Sequence, residues 1–274
     1  MLRTCDMNRV RLLVTFLLCV AFSHVSAQNV VSHKYKLVWK DDFKGKSVDS
    51  SSWSRLYRTD PGTWGMYMSD CDSLYELRKG VLRLYGKVNT FEHADTATYL
   101  CGGVTTRHKR SVRYGKVEVR MKMVGAKGSW PAVWLMPTNY KDWEYPKRAE
   151  IDILEYTHRN TFVYQTVHTY YTDVLGEKTK PVRQVKSPIR YEDYNVYSVE
   201  ILPEELIFRI NGDVTFRYPN LYCDVEGQYP FGVDSYLMID MQIGGTGVGD
   251  ASVVRSTFPA YIDVDWVKFY EMRK

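Results

Sequence analysis

The sequence is short of several things, and each shortage narrows its reading. Helical periodicity is nearly absent, which leaves little room for a helix-built fold. No internal repeat, low-complexity segment or long linker divides the chain, so one domain over residues 28–274 is expected. Cysteines number only 5 in 274 residues, and no Cys/His spacing resembles a zinc site; no metal-ligating set is assigned. The net charge of +5 is mild for this length, and no basic block argues for nucleic acid. The apolar run from Leu12 to Phe22 is too short to span a bilayer.

That run has a different reading. Arg9 and Arg11 precede it, and the small residues Val25-Ser26-Ala27 follow. Residues 1–27 therefore read as a secretory signal, with Gln28 as the mature start and a secreted, periplasmic or cell-surface destination. A buried N-terminal helix is the alternative. Export would leave Cys71, Cys101 and Cys223, an odd set that forbids full pairing. One disulfide is compatible with this set, and its partners stay open.

What the chain has is strand pattern and aromatics. Lys116–Met123 alternates apolar and polar residues, and Phe162–Thr169 and Ile262–Tyr270 read as strands. Leu206–Ile210 and Val214–Tyr218 flank Asn211-Gly212, a two-residue hairpin signal. From Tyr236 to Ile243, Leu237, Ile239, Met241 and Ile243 share one face, with Tyr236, Met238, Asp240 and Gln242 on the other. The pattern predicts an all-β antiparallel sandwich, with stretches 56–72 and 170–190 as loops rimming one face. Aromatics make up 14% of the chain, with 22 Tyr and 7 Trp; such rings stack on sugars but also fill β-sandwich cores.

The chemistry concentrates in Glu150-Ile151-Asp152-Ile153-Leu154-Glu155. Ile151 and Ile153 alternate with Glu150 and Asp152, so the isoleucines face a core and the acids face away. Glu155 falls on the wrong parity. One extra residue, a β-bulge near Leu154, would return it to the acidic face. Clustered carboxylates resist joint ionisation, so at least one should hold its proton at raised pH. A retaining glycosidase needs that division between an ionised nucleophile and a protonated donor. The alternatives are a solvated strand face and a cation site, although calcium favours aspartates and carbonyls on a flexible loop.

Taken with Gly128-Ser129-Trp130-Pro131-Ala132-Val133-Trp134-Leu135, this strand resembles the active-site region of glycoside hydrolase family 16 in its bulged form. Trp39-Lys40-Asp41-Asp42-Phe43 with Trp53, Tyr114–Arg120 and Asp263–Tyr270 also resemble that family. The resemblance implies a concanavalin-like jelly roll of two curved antiparallel sheets. It also implies endo-acting, retaining hydrolysis of β-linked glycans, with no cofactor required. By position, Glu150 resembles the nucleophile, Asp152 the assisting acid and Glu155 the acid/base. Trp130 resembles a sugar-stacking residue, His168 a histidine beside the acid/base, and Gln242 a sugar contact. Asp265 resembles a position that in some members holds a structural calcium, with a plain surface aspartate as its alternative.

The chain also departs from the family. Glucan-cleaving members usually carry a Trp-Gly-Asn-x-Glu stretch that grips the sugar beyond the cleavage site; Trp64-Gly65 matches its start, which makes Trp64 a substrate-binding candidate, but Met66-Tyr67-Met68 follows. Gln242-Ile243-Gly244-Gly245-Thr246-Gly247 also looks more like the branch that cuts β-galactosidic bonds in mucin-type O-glycans. Laminarin-like β-1,3-glucan and mucin-type glycans thus both stand as substrates of a monomer. A non-catalytic lectin-like jelly roll is the competing function.

Overall fold

Alternating apolar and polar residues become strands wherever one face can be buried, and here two stacked sheets bury them. The computed structural model describes residues 33–138, 149–225 and 227–273; the expected leader at 1–27 lies outside them. In chain order the strands are β1 (Tyr35–Asp41), β2 (Ser54–Arg55), β3 (Tyr75–Arg78), β4 (Val81–Val88) and β5 (Tyr99–Cys101). Then come β6 (Gly103–Thr105), β7 (Gly115–Val124), β8 (Ser129–Pro137), β9 (Ala149–Glu155), β10 (Phe162–Thr169) and β11 (Gln184–Pro188). The last are β12 (Asn195–Ile201), β13 (Glu205–Ile210), β14 (Asp213–Pro219), β15 (Ser235–Ile243) and β16 (Ala260–Met272).

One sheet runs β14-β13-β12-β7-β16-β4-β3, with β1 also on β16 and β5 on β4; the other runs β11-β10-β9-β8-β15-β6-β2. All the ladders are antiparallel, and the arrangement is the expected jelly roll. Val117, Val119 and Met121 of β7 and Ile262, Val264 and Val267 of β16 meet Ile151 and Ile153 of β9 and Leu237, Ile239 and Met241 of β15. Each such side chain contributes about 1.5–3 kcal/mol through burial. Near the N-terminal strand, Trp39 meets Phe269 edge to face and Trp53 packs tilted against Trp39 and Phe43, and Trp53 Nε1 donates to Asp41 Oδ2 at 2.9 Å. That packing accounts for the aromatic and acidic pattern from Trp39 to Trp53.

The stretch 170–190 is less loop-like than expected. It holds a four-residue helix, α1 (Tyr170–Asp173), and the edge strand β11. Thr169 and Thr172 cap α1 reciprocally, side chain to backbone. β11 hides in the sequence because only Val185 on it is a β-branched apolar residue and most of its side chains are exposed. Cys71, Cys101 and Cys223 stand as free thiols.

Between β13 and β14 the turn residues Asn211 and Gly212 have φ of 54° and 94°, the left-handed pair that a two-residue hairpin needs. A β-branched side chain resists that conformation. Gly212→Val should therefore cost roughly 1–2 kcal/mol, read as a lower urea midpoint at unchanged slope.

Candidate functional site

β10, β9, β8 and β15 lie side by side, and register decides which of their residues share the outward face. Glu150 pairs with His168, and Asp152 with Thr166 on β10 and Trp134 on β8. Glu155 pairs with Tyr164 and Ala132. Ile153 has no register partner on either neighbour, and Ile153 and Leu154 together span the place of Gln165. This is the expected bulge between Asp152 and Glu155. Ile153 and Leu154 both turn into the core, and Glu155 returns to the side of the other two acids.

The three acids line a cleft of about 1150 Å³ together with Trp64, Trp130, His168 and Gln242. The seven catalytic and substrate-contact residues expected from the sequence thus meet in one place, and Asp265 lies on the other sheet. Arg55 at the end of β2 with Tyr57 and Arg58 after it, and Asp173 of α1 with Arg183 and, at the start of β11, Gln184, also line it. Tyr57 is 68% exposed, an open ring at the cleft edge.

Glu155 is gripped on both oxygens. Trp130 Nε1 donates to Oε1 at 2.9 Å, and Thr166 Oγ1 to Oε2 at 3.2 Å. Gln184 Nε2 in turn donates to Thr166 Oγ1 at 2.9 Å. Burial pushes the Glu155 carboxyl up, with the Glu150 charge adding to it, while His168 and these donors pull it back. Burial and then the charge of Glu155 push Asp152 up to about 6, against His168 and a hydrogen bond with Glu150. His168 sits between two carboxylates, Nε2 at 3.3 Å from Asp152 and Nδ1 at 2.9 Å from Asp173. Burial works against its charge, but the two aspartates outweigh it and raise the imidazole to about 11. Arg183 holds the far side of Asp173 at 2.6 Å. His168 thus stands across from Glu150 and grips Asp152, and its charge also acts on Glu155.

A second polar group was not singled out from the sequence. Asp240 is fully buried and accepts from Trp134 Nε1 at 2.8 Å and Gln242 Nε2 at 2.7 Å. Burial raises its carboxyl to about 7. The arrangement turns the Gln242 oxygen away from Asp240 and leaves it buried without a protein donor. Trp134 meets Trp64 edge on at 5.0 Å. Its period-two spacing from Trp130 was the signal that could have placed it in the cleft. Trp130 itself has one face against Gly247, where an added Cβ would meet indole atoms at 2.3–2.4 Å.

Residues 76–268 match the family described as Glycosyl hydrolases family 16. The chain belongs to that family. A keratan-sulfate endo-1,4-beta-galactosidase of Sphingobacterium multivorum is 32% identical over 90% of this chain and 58% of its own length. The chain thus spans less than two thirds of that relative. A beta-glucanase of Rhodothermus marinus is 30% identical over 86% of this chain and 85% of its own. A solved structure from work on endo-acting O-glycanases, which members of the human gut microbiota express to initiate mucin breakdown, superposes with a TM-score of 0.73. It is 26% identical and covers 87% of this chain and 100% of that one.

Two possible metal positions in this family-16 domain differ in kind. Asp265, on the sheet that carries β7 and β16, is ion-paired with Arg120. Beside it, Asp263 accepts from Arg83 Nε and Nη2 at 2.6 and 2.8 Å, with Lys122 Nζ at 3.5 Å. These carboxylates already have cationic partners, so the set does not fit calcium. In the cleft, ligand atoms of Glu150, Asp152 and His168 lie within 4.8 Å of one another. There a protonated His168 is a poor metal ligand.

The Trp130 N–H lowers the Glu155 carboxyl toward its ionised form. Trp130→Phe removes that donor, so the group should hold its proton to higher pH. The alkaline limb of the kcat/KM profile should move upward, and an unmoved limb would show that the bond has no electrostatic effect on Glu155.

Proposed function

We propose that this chain is an exported, retaining endo-β-glycan hydrolase. Glu150 is the nucleophile, Glu155 the general acid/base and Asp152 the acid that assists Glu150. The observation that carries this reading is the single extra residue at Ile153, which puts all three carboxyls on one face inside an open cleft. In the first step Glu155 gives its proton to the glycosidic oxygen while Glu150 attacks the anomeric carbon. In the second, ionised Glu155 takes a proton from the water that releases the sugar from Glu150. The raised Glu155 carboxyl suits the first role, and the donors from Trp130 and Thr166 steady the anion left after transfer. The steps need no cofactor.

For the substrate we favour internal β-galactosidic bonds in mucin-type glycans. The similarity to a keratan-sulfate endo-1,4-beta-galactosidase supports this, as does the missing Asn and Glu after Trp64-Gly65. The similarity to a beta-glucanase supports β-1,3-glucan as the second reading. The residues 1–27 that read as a leader support export. Digestion of mucin O-glycans, keratan sulfate and laminarin in parallel decides the substrate. Mixed oligosaccharides should appear from the first minutes, and release of monosaccharide alone would contradict an open cleft.

The two glutamates can be told apart chemically. On a dinitrophenyl β-glycoside, Glu155→Ala should still form the glycosyl-enzyme, and azide should then release a β-glycosyl azide. Glu150→Ala forms no such intermediate, and azide attacking directly should give the α product. A proton NMR spectrum distinguishes them, and the opposite anomers would show the two roles reversed.

A further inference from the structure

Gln165 breaks the apolar pattern of its own strand. On β10 the core-facing side chains are Val163, Gln165 and Val167, all fully buried. A buried amide is costly unless both its ends are bonded, and here they are. Gln165 Oε1 accepts from Ser187 Oγ on β11 at 2.8 Å and from Thr215 Oγ1 on β14 at 2.7 Å. Gln165 Nε2 donates to the carbonyl of Ile153 at 3.3 Å. Ile153 is the residue that has no register partner on β8 or β10. The amide therefore reaches the one peptide of β9 that the sheet's own register passes over. Two hydroxyls on the oxygen set the amide's orientation, since a turned amide would put its oxygen against the Ile153 carbonyl.

We propose that Gln165 is a positioning residue for the general acid/base. It ties the bulge at Ile153 to β11 and, across the core, to β14 of the opposite sheet. The bulge decides where the Glu155 carboxyl stands relative to Glu150, so a relaxed bulge displaces the proton donor and leaves the nucleophile's segment of β9 in register. The proposal rests on the assignment of Glu155 above. A displacement near 1 Å can cost on the order of 10²-fold in rate. That loss falls only on substrates whose leaving group needs the proton.

Gln165→Met keeps length and apolar bulk but loses all three hydrogen bonds. It should be assayed on whichever of mucin O-glycans, keratan sulfate or laminarin the wild type degrades, and on the dinitrophenyl β-glycoside of the matching disaccharide. Rates are normalised to active sites titrated with a 2-fluoroglycoside, so unfolded protein does not count. The expected result is a loss of roughly 10–100-fold on the polymer, with glycosylation by the dinitrophenyl glycoside unchanged. Equal losses on both substrates, or no loss on either, would overturn the proposal. If Gln165→Met does not fold, the pair Ser187→Ala and Thr215→Val frees the amide oxygen with smaller changes and is read by the same split. Glu155→Ala serves as the reference. If it loses both substrates equally, the acid/base assignment is at fault; if it splits them and the core variants do not, the role of Gln165 is.

Discussion

A strand allows its side chains only two directions, and the site depends on breaking that rule once. In a regular β9, Glu150, Asp152 and Leu154 would share the outer face and Glu155 would point into the core. The extra residue at Ile153 exchanges Leu154 for Glu155 on the outer face. Ile153 and the displaced Leu154 both end fully buried, so the irregularity leaves no side chain of either in water. Ladder pairing resumes at Glu155 against Tyr164 and Ala132. The disturbance is confined to one step of the strand, and the neighbouring strands keep the alternation that presents Trp130, Trp134, His168 and Gln242 to the same space.

Holding acids in a half-closed cleft creates the second constraint. Burial favours the protonated form of Asp152, Glu155 and Asp240 alike. The surroundings separate them. Glu155 has one indole and one hydroxyl donor, Asp152 faces a protonated imidazole, and Asp240 holds Trp134 and Gln242 in place. The three carboxyls therefore differ in partner before any substrate arrives, which allows different tasks for chemically similar groups.

Much of this was legible in the sequence because the relevant strands are buried on one face and wet on the other. β7, β10, β13, β14, β15 and β16 fall where alternation and the Asn211-Gly212 turn put them, and the parity argument on Glu155 located the bulge. What stayed hidden depends on neighbours distant in the chain. β11 is an edge strand with little apolar content, so alternation does not mark it. Asp240 reads as an outward polar residue until β8 and β15 pair and bring it beneath Trp134. The grip of His168 on Asp152 and Asp173 follows from the β9–β10 register and from α1, neither of which the residues around it announce. Gln165 looks like an interruption of a valine pattern until the bulge carbonyl is found above it. Local periodicity reports which face a residue takes; it carries no information on what stands opposite.

The row Arg183, Asp173, His168, Asp152 alternates in charge along the cleft wall, with each step under 4 Å. Opposite charges this close cancel at a distance, leaving only a short-ranged field at the reacting centre. The screening length of physiological salt is about 8 Å, longer than any spacing within the row. Salt at that strength therefore screens the row only weakly. At 1 M the screening length falls to about 3 Å, near the spacings within the row, so the floor of the cleft keeps one electrostatic character from dilute to physiological buffer and loses that protection only in brine.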